Sequence, residues 1–208
     1  AIVSAGFDVV SCASNHALDR GLEGIDRTAG LFREVVCAGI QPEADGAYRP
    51  YAMLERNGIR IAVLSYTETT NGHALPEDAP YVLHTLDDEA RVRADLRAAR
   101  AAADAVLVFV HWGDEYAETP NETQTAWAQI FADGGADVVL GTHPHVRQPW
   151  AWVDGQDGHE TLVYYSLGNC LSAQTGEACR LGSLAAFTLT RTPEGVAVTP
   201  EPLRTVET

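Results

Sequence analysis

Short apolar runs with strand character alternate along this chain with stretches where apolar residues recur at helical spacing. Residues 1–6 read as the tail of a helix closing on Gly6. Residues 7–12, Phe-Asp-Val-Val-Ser-Cys, read as a short buried strand. Residues 28–36 place Leu31, Phe32, Val35 and Val36 at core spacing and predict a helix. Residues 39–50 hold Gly, Pro and Asp and read as a loop. Residues 51–55 and 59–66 flank Arg56-Asn57-Gly58, and Asn-Gly between apolar alternations predicts a hairpin. Residues 67–80 form a polar connection containing His73. A helix is expected over 87–103, started by Leu86-Asp87-Asp88. Residues 106–110 are a five-residue apolar strand, read as parallel and buried on both faces. A helix over 122–133 stops at Gly134-Gly135, and residues 135–140 read as another buried parallel strand. Residues 150–153 and 161–165 predict a second hairpin, and residues 184–190 and 196–199 a closing antiparallel pair.

This pattern predicts an α/β fold with α+β elements at the carboxyl-terminal end. Over 208 residues there is no repeat, low-complexity tract or linker, so a single domain over 1–208 is expected. Asp and Glu total 29 against 14 Lys and Arg, a formal charge of −15. That balance argues against nucleic acid and anionic lipid as partners. No apolar run approaches the ~20 residues of a membrane span. Cys12, Cys37, Cys170 and Cys179 form no CxxC pair, which argues against a structural zinc knuckle. Mostly buried free thiols are expected, with pairing of Cys12 with Cys37, or of Cys170 with Cys179, left open by the sequence.

The candidate chemistry lies at strand ends. Gly141-Thr142-His143-Pro144-His145 follows an apolar strand, and period-two alternation would set both imidazoles on one side. Two neutral imidazoles are good donors for a borderline divalent metal. Asn15-His16 and His111 end two earlier strands, and Asn169 follows a later one. The carboxyl edge of an open α/β sheet is where ligand sites sit. His73, His84 and His159 lack this context and read as solvated.

The motifs Ser14-Asn15-His16-Ala17-Leu18-Asp19-Arg20-Gly21, His111-Trp112-Gly113-Asp114-Glu115-Tyr116, Gly141-Thr142-His143-Pro144-His145-Val146-Arg147-Gln148 and Tyr165-Ser166-Leu167-Gly168-Asn169 resemble, in this order, those of the CapA family. That family is linked to poly-γ-glutamate capsule biosynthesis and is similar to the calcineurin-like metallophosphoesterases. The resemblance implies a layered sheet core flanked by helices. It implies that Asn15, His111 and His143 ligate one metal and that His145 ligates a second. His16 takes the place of a catalytic proton donor or oxyanion stabiliser. Trp112, Glu115, Asn169 and Arg147 are candidates for substrate contact or for support of the ligands. The implied cofactors are divalent ions (Mn, Zn, Fe or Mg), two in a full-length protein. The superfamily's Asp and Gly-Asp motifs would precede residue 1, so the domain reads as truncated at its amino terminus. Cys170 stands where the family commonly has an aromatic residue, and burial is expected for it.

Two functions follow as expectations. One is a metal-dependent hydrolase of envelope polymer metabolism, acting on an anionic polymer or on a phosphorylated or amide substrate. The other is a non-catalytic assembly or polymer-binding component of a capsule synthesis complex. The resemblance favours an extracytoplasmic or membrane-associated location.

Overall fold

Side-chain alternation along the central strands sorts the core into two layers. The computed structural model describes residues 3–207. Its strands are β1 (Val9–Ser11), β2 (Val36–Ala38), β3 (Ala52–Arg56), β4 (Ile59–Thr67), β5 (Ala105–His111), β6 (Val138–Thr142), β7 (Trp150–Asp154), β8 (Glu160–Tyr164), β9 (Leu181–Leu184), β10 (Phe187–Thr192), β11 (Gly195–Pro200) and β12 (Arg204–Glu207). The α-helices are α1 (Gly21–Leu31), α2 (Glu89–Ala102) and α3 (Glu122–Asp133). Six strands form the main sheet in the order β3-β4-β5-β6-β8-β7. β4, β5, β6 and β8 run parallel, and the hairpin partners β3 and β7 close the edges antiparallel. The central parallel strands read as near-continuous apolar runs because both faces are covered.

On one face, Leu64, Tyr66, Val106, Val108, Val110, Trp112, Val139 and Val163 pack with Val92, Leu96 and Ala99 of α2 and Ala128 and Phe131 of α3. On the other, Ile61, Val63 and Ala105 meet Ala38 of β2 and Val196 of β11, while Val138, Leu140 and Leu162 meet Phe187 of β10 and Val198 of β11. The molecule is therefore helices, mixed sheet and β ribbons in three layers, as expected for its class. Asn57 and Gly58 both adopt positive φ, as a two-residue turn matched to strand twist requires. The Asp88 side chain caps α2 by accepting from Arg91 N, and Asn121 with Gln124 forms a capping box on α3.

Several expectations are corrected. The first helix covers Gly21–Leu31 rather than 28–36. Val36, Cys37 and Ala38 instead pair in parallel with Val9, Val10 and Ser11, and Leu31 is 68% exposed. Helical spacing at Leu31, Phe32, Val35 and Val36 was overridden by strand pairing of the Val-rich segment, a case of tertiary context outweighing local pattern. The strand expected over 7–12 is confined to Val9–Ser11 and is only half-buried, because it belongs to a two-stranded sheet at the edge of the molecule. Near the amino terminus a single 3-10 turn spans Val3–Ala5 before Gly6, and residues 1 and 2 of the expected helix tail lie outside the described residues. The antiparallel pair β9–β12 was not anticipated. His84 is buried between the rings of Tyr48 and Tyr66 rather than solvated. His159 is partly buried, its Nε2 2.7 Å from the Ala136 carbonyl. Cys170 is exposed; of the four free cysteines only Cys179 is fully buried.

Candidate functional site at the carboxyl edge of the sheet

β5 ends in His111 and is followed by Trp112, and the two side chains point to opposite faces of the sheet. Trp112 goes into the helix layer. It is fully buried, stacks on Tyr165 and donates its indole N–H to the Tyr165 carbonyl at 2.8 Å. It also lies against Gly141, where an added Cβ would meet Tyr165 O at 2.0 Å and Trp112 Nε1 at 2.6 Å. Gly141 therefore permits the close approach of β6 to the Trp112 and Tyr165 pair. Trp112 has no surface for substrate and serves as packing beneath the site, which removes the substrate-contact half of its expectation.

His111 takes the ribbon face, in register with Thr142 of β6. Its Nδ1 lies 3.0 Å from Thr142 Oγ1, and that hydroxyl donates to the Val110 carbonyl at 3.3 Å. In the tautomer with the proton on Nδ1, Thr142 accepts from His111 and the Nε2 lone pair points forward. Nε2 faces Asn15 Oδ1 at 2.9 Å, a residue 96 positions earlier in the chain. Asn15 is 5% exposed, and its amide nitrogen donates to Asn71 Oδ1 at 3.2 Å, which fixes the oxygen toward His111.

The His111 and His143 rings lie 4.7 Å apart, and those of His143 and His145 6.2 Å apart. The strand ends at Thr142, so period-two alternation is not what sets the last two rings. His143 and His145 instead have φ of 101° and 63°. Tyr116, stacked on His145, and Asn71, beside Asn15 and His16, also adopt positive φ. Non-glycine residues in this region store of order 1–3 kcal/mol each, and such residues cluster where a site is held in one geometry. Asn169 Oδ1 lies 3.0 Å from His145 Nδ1, while its amide nitrogen donates to Gln174 Oε1 and the Cys179 carbonyl. Asn169 Oδ1 thus offers an acceptor to His145 Nδ1–H. Its Nε2 faces Glu115 at 3.8 Å, and Tyr116 stacks on the ring at 5.8 Å.

Burial, followed by the neighbouring His143, His145 and His16, lowers the pKa of His111 to about 3. Burial also lowers that of His143, against the opposing pull of Glu115. Both imidazoles are thus neutral at pH 7, the form in which they donate to a cation. Among the described residues, no three His, Cys, Asp or Glu side chains form a ready cage for an ion. The third donor beside His111 and His143 is the Asn15 amide oxygen.

His16 is exposed, with Nδ1 2.8 Å from Asp19 Oδ2 and 3.5 Å from Asn71 Nδ2. Asp19 and Asn71 were missed by sequence reading. Asp19 lay inside the Asn15-His16 motif, three residues on, whereas Asn71 gave no signal beyond a Thr-Asn-Gly turn. Glu68, whose carboxylate accepts from Gly113 N at 2.8 Å, was also missed. Arg147 does not join the cluster. Its guanidinium donates to Thr205 Oγ1 at 3.3 Å and lines a separate groove with Gln148, Trp150 and Leu203.

Comparison with solved structures bears out the fold. NAD nucleotidase from Haemophilus influenzae superposes with a TM-score of 0.62 over 99% of this chain and 41% of that one, at 14% identity. A 5′-nucleotidase from Staphylococcus aureus gives 0.59 over 98% and 38%, at 18% identity. Among sequence relatives, PGA biosynthesis protein CapA of Bacillus subtilis is 34% identical over 91% of this chain and 49% of its own length. Capsule biosynthesis protein CapA of Bacillus anthracis is 32% identical over 81% and 41%. The chain thus spans about half the length of these relatives. Residues 1–174 match the family described as bacterial capsule synthesis protein PGA_cap, and the chain belongs to that family on a metallophosphoesterase-like fold.

Proposed function

We propose that this chain carries the metal-dependent hydrolytic site of a protein acting in bacterial capsule biosynthesis. One observation carries the reading. His111 Nε2 and Asn15 Oδ1 lie 2.9 Å apart, with the His143 ring 4.7 Å from that of His111. A neutral imidazole nitrogen, an amide oxygen and a second imidazole gathered at this spacing lie within reach of one divalent cation. Asn15, His111 and His143 would hold a first ion and His145 a second. The donor set of imidazole and amide oxygen suits Mn, Zn or Fe better than Mg. Such ions supply an activated water and a clamp on the reacting oxygens.

The remaining steps belong to the chain's own residues. Asp19 accepts from His16 Nδ1 and orients the ring, leaving Nε2 to pass a proton to a leaving group. Asn71 holds Asn15 and lies beside His16, so one amide ties the ligand to the proton donor. Asn169 accepts at His145 Nδ1 and so turns Nε2 toward the site. Glu68, Asp114 and Glu115 surround His143 with negative charge. An anionic substrate therefore depends on bound cations to offset that field. The names of the relatives point to a polyglutamate-type polymer or its precursor, and to a capsule or polyglutamine synthesis complex as partner. The bond cleaved would be a phosphoester or an amide.

A non-catalytic, polymer-binding role is the second reading, favoured by the lack of a complete His, Cys, Asp or Glu cage among the described residues. Metal content after loading with Mn²⁺, followed by turnover of a panel of phosphodiester and γ-glutamyl amide substrates, separates the two. Stoichiometric metal with turnover of one substrate class is expected. Metal without turnover of either class would select the binding role, and no metal at all would overturn the site.

A further inference from the structure

Outside the histidine cluster, two thiols lie against each other where the first two strands meet. Cys37 sits in β2 opposite Val10 of β1. Cys12 follows β1 and is two residues beyond Val10, so alternation brings it to the same face as Cys37. The two sulfurs share a hydrogen bond, 3.5 Å from Sγ to Sγ. Cys12 N also donates to the Ala38 carbonyl at 2.9 Å, which extends the ladder past the last paired residue and locks the two backbones. Cys37 lines a cavity of about 280 Å³ with Arg49, Ser65 and His84. Cys170 and Cys179 lack this arrangement: the first is exposed and the second buried.

We propose that Cys12 and Cys37 are a reactive dithiol, a site of thiol–disulfide exchange with a small anionic disulfide of the glutathione class. Both thiols are only half-buried, which gives such a reagent access, and Arg49 in the wall of the cavity that Cys37 borders supplies a cation for the reagent's carboxylates. The Cys12 S–H beside it holds the Cys37 thiol below the ordinary range, and sharing that bond together with burial pushes the Cys12 thiol up. Cys37 is accordingly the attacking sulfur and Cys12 the resolving one. In the first step the Cys37 thiolate bonds to one sulfur of oxidised glutathione, the glutathione S–S bond breaks, and one glutathione leaves as thiolate. In the second, Cys12 gives up its proton to water and attacks Cys37 Sγ, and the second glutathione leaves. Two protein thiols are oxidised to one disulfide, and one glutathione disulfide is reduced to two thiols.

The location gives the bond a consequence. Only two residues separate Cys12 from Asn15, and β1 and β2 have three residues each. A crosslink here fastens the short strand that delivers Asn15 to His111.

The test is incubation of the whole chain with oxidised glutathione, alkylation of remaining thiols, and peptide mapping after cleavage at arginine. With trypsin, Cys12 falls in the peptide 1–20, Cys37 in 34–56 because the Arg49–Pro50 bond resists cleavage, and Cys170 with Cys179 in 148–180, so each outcome is distinguishable. The expected product joins 1–20 to 34–56, is reversed by dithiothreitol, and melts higher by roughly 5 °C or more. In Cys12→Ser, glutathione stays attached to Cys37. In Cys37→Ser, modification of Cys12 is at least about tenfold slower than that of Cys37 in Cys12→Ser. Wild-type protein that keeps both thiols free would overturn the proposal. So would a Cys12→Ser variant whose Cys37 resists glutathione, or crosslinking confined to 148–180. The wild-type map alone decides the point if either variant fails to fold.

Discussion

The two regions that meet at the candidate site are built very differently. The β5 and β6 edge is part of a six-stranded sheet covered on both faces, and it positions His111 through Thr142 and the buried Trp112 beneath. The β1–β2 layer is a two-stranded ribbon, half-exposed, and positions Asn15 mainly through Asn71 and the close packing of Ala13 on Gly39. An added Cβ at Gly39 would meet Ser65 Oγ and Ala13 Cβ within 2.6 Å, so that packing leaves no slack. A ligand set drawn from both regions rests on a six-stranded sheet on one side and on a two-stranded ribbon on the other. Metal binding and local order of the amino-terminal ribbon should therefore be coupled, because ordering Asn15 costs more than ordering His111.

The largest effect that sharpens this contrast is at Trp112. Trp112→Ala should cost about 3–5 kcal/mol in urea unfolding, as expected for a large side chain removed from a close-packed core. A cost below about 1 kcal/mol would show that the β5 edge is not the rigid partner.

Next comes the seam between the regions. His84 donates its backbone N–H to the Gly39 carbonyl after β2, and its carbonyl accepts from Thr67 N at the end of β4. Burial, with Arg91 and Arg49 nearby, lowers the His84 pKa to about 3. The unfolded chain holds this proton up to about pH 6.5, whereas the folded chain does not. Stability contributed by neutral His84 is thus complete above about pH 6.5 and is lost as pH falls through the window from 6.5 toward 3. Each pH unit in that window costs up to about 1.4 kcal/mol per proton. His111 adds a second proton of the same sign. Denaturant midpoints between pH 4 and 7 should fall with acid, and His84→Gln should flatten the slope. An unchanged slope in His84→Gln would move the acid sensitivity elsewhere.

Smaller effects come from the ligands. Asn15→Ala, His111→Ala and His143→Ala should each weaken Mn²⁺ binding at least about tenfold, and Asn169→Ala, which frees the His145 ring, by about 10–100-fold. Calorimetric titration reads all four. If Asn15→Ala alone left affinity intact, the ribbon would be dispensable to the site. Smaller still is backbone strain at His143. His143→Gly should be about 1 kcal/mol more stable than His143→Ala, since glycine adopts φ of 101° without a steric penalty. Equal midpoints would mean the loop relaxes freely. The smallest effect is expected at the end of α1, where Leu31→Ala should stay within about 0.5 kcal/mol because Leu31 is 68% exposed. A larger loss would show that the amino-terminal layer packs more firmly than its exposure indicates.

Helices α2 and α3 were legible because their caps are written locally. Asp88 and Asn121 each accept from the first turn, and Gly134-Gly135 ends α3. The β3–β4 turn was legible because Asn57-Gly58 is nearly obligatory for two successive positive φ values. The α1 boundary was not, because Val35 and Val36 fit either a helix face or a strand, and the choice rests on pairing with β1. His84 was misread for a similar reason. Its flanks, Leu83 and Thr85, look like loop, and only the packing of Tyr48 and Tyr66 encloses it.

By itself, the sequence determined the α/β class, the order of the main strands and helices, and the identity of the histidine-bearing strand ends. These follow from period, caps and turn residues, which act over a few positions. The tertiary structure alone decided which groups meet. Asn15 reaches His111 across 96 positions. Trp112 turns inward while His111 turns to the site, and Arg147 leaves for another groove. Asn71 and Asp19 join because their loops fold over the same edge. Contacts of this kind depend on sheet register and on which layer covers which face, and neither is encoded in any short window of residues.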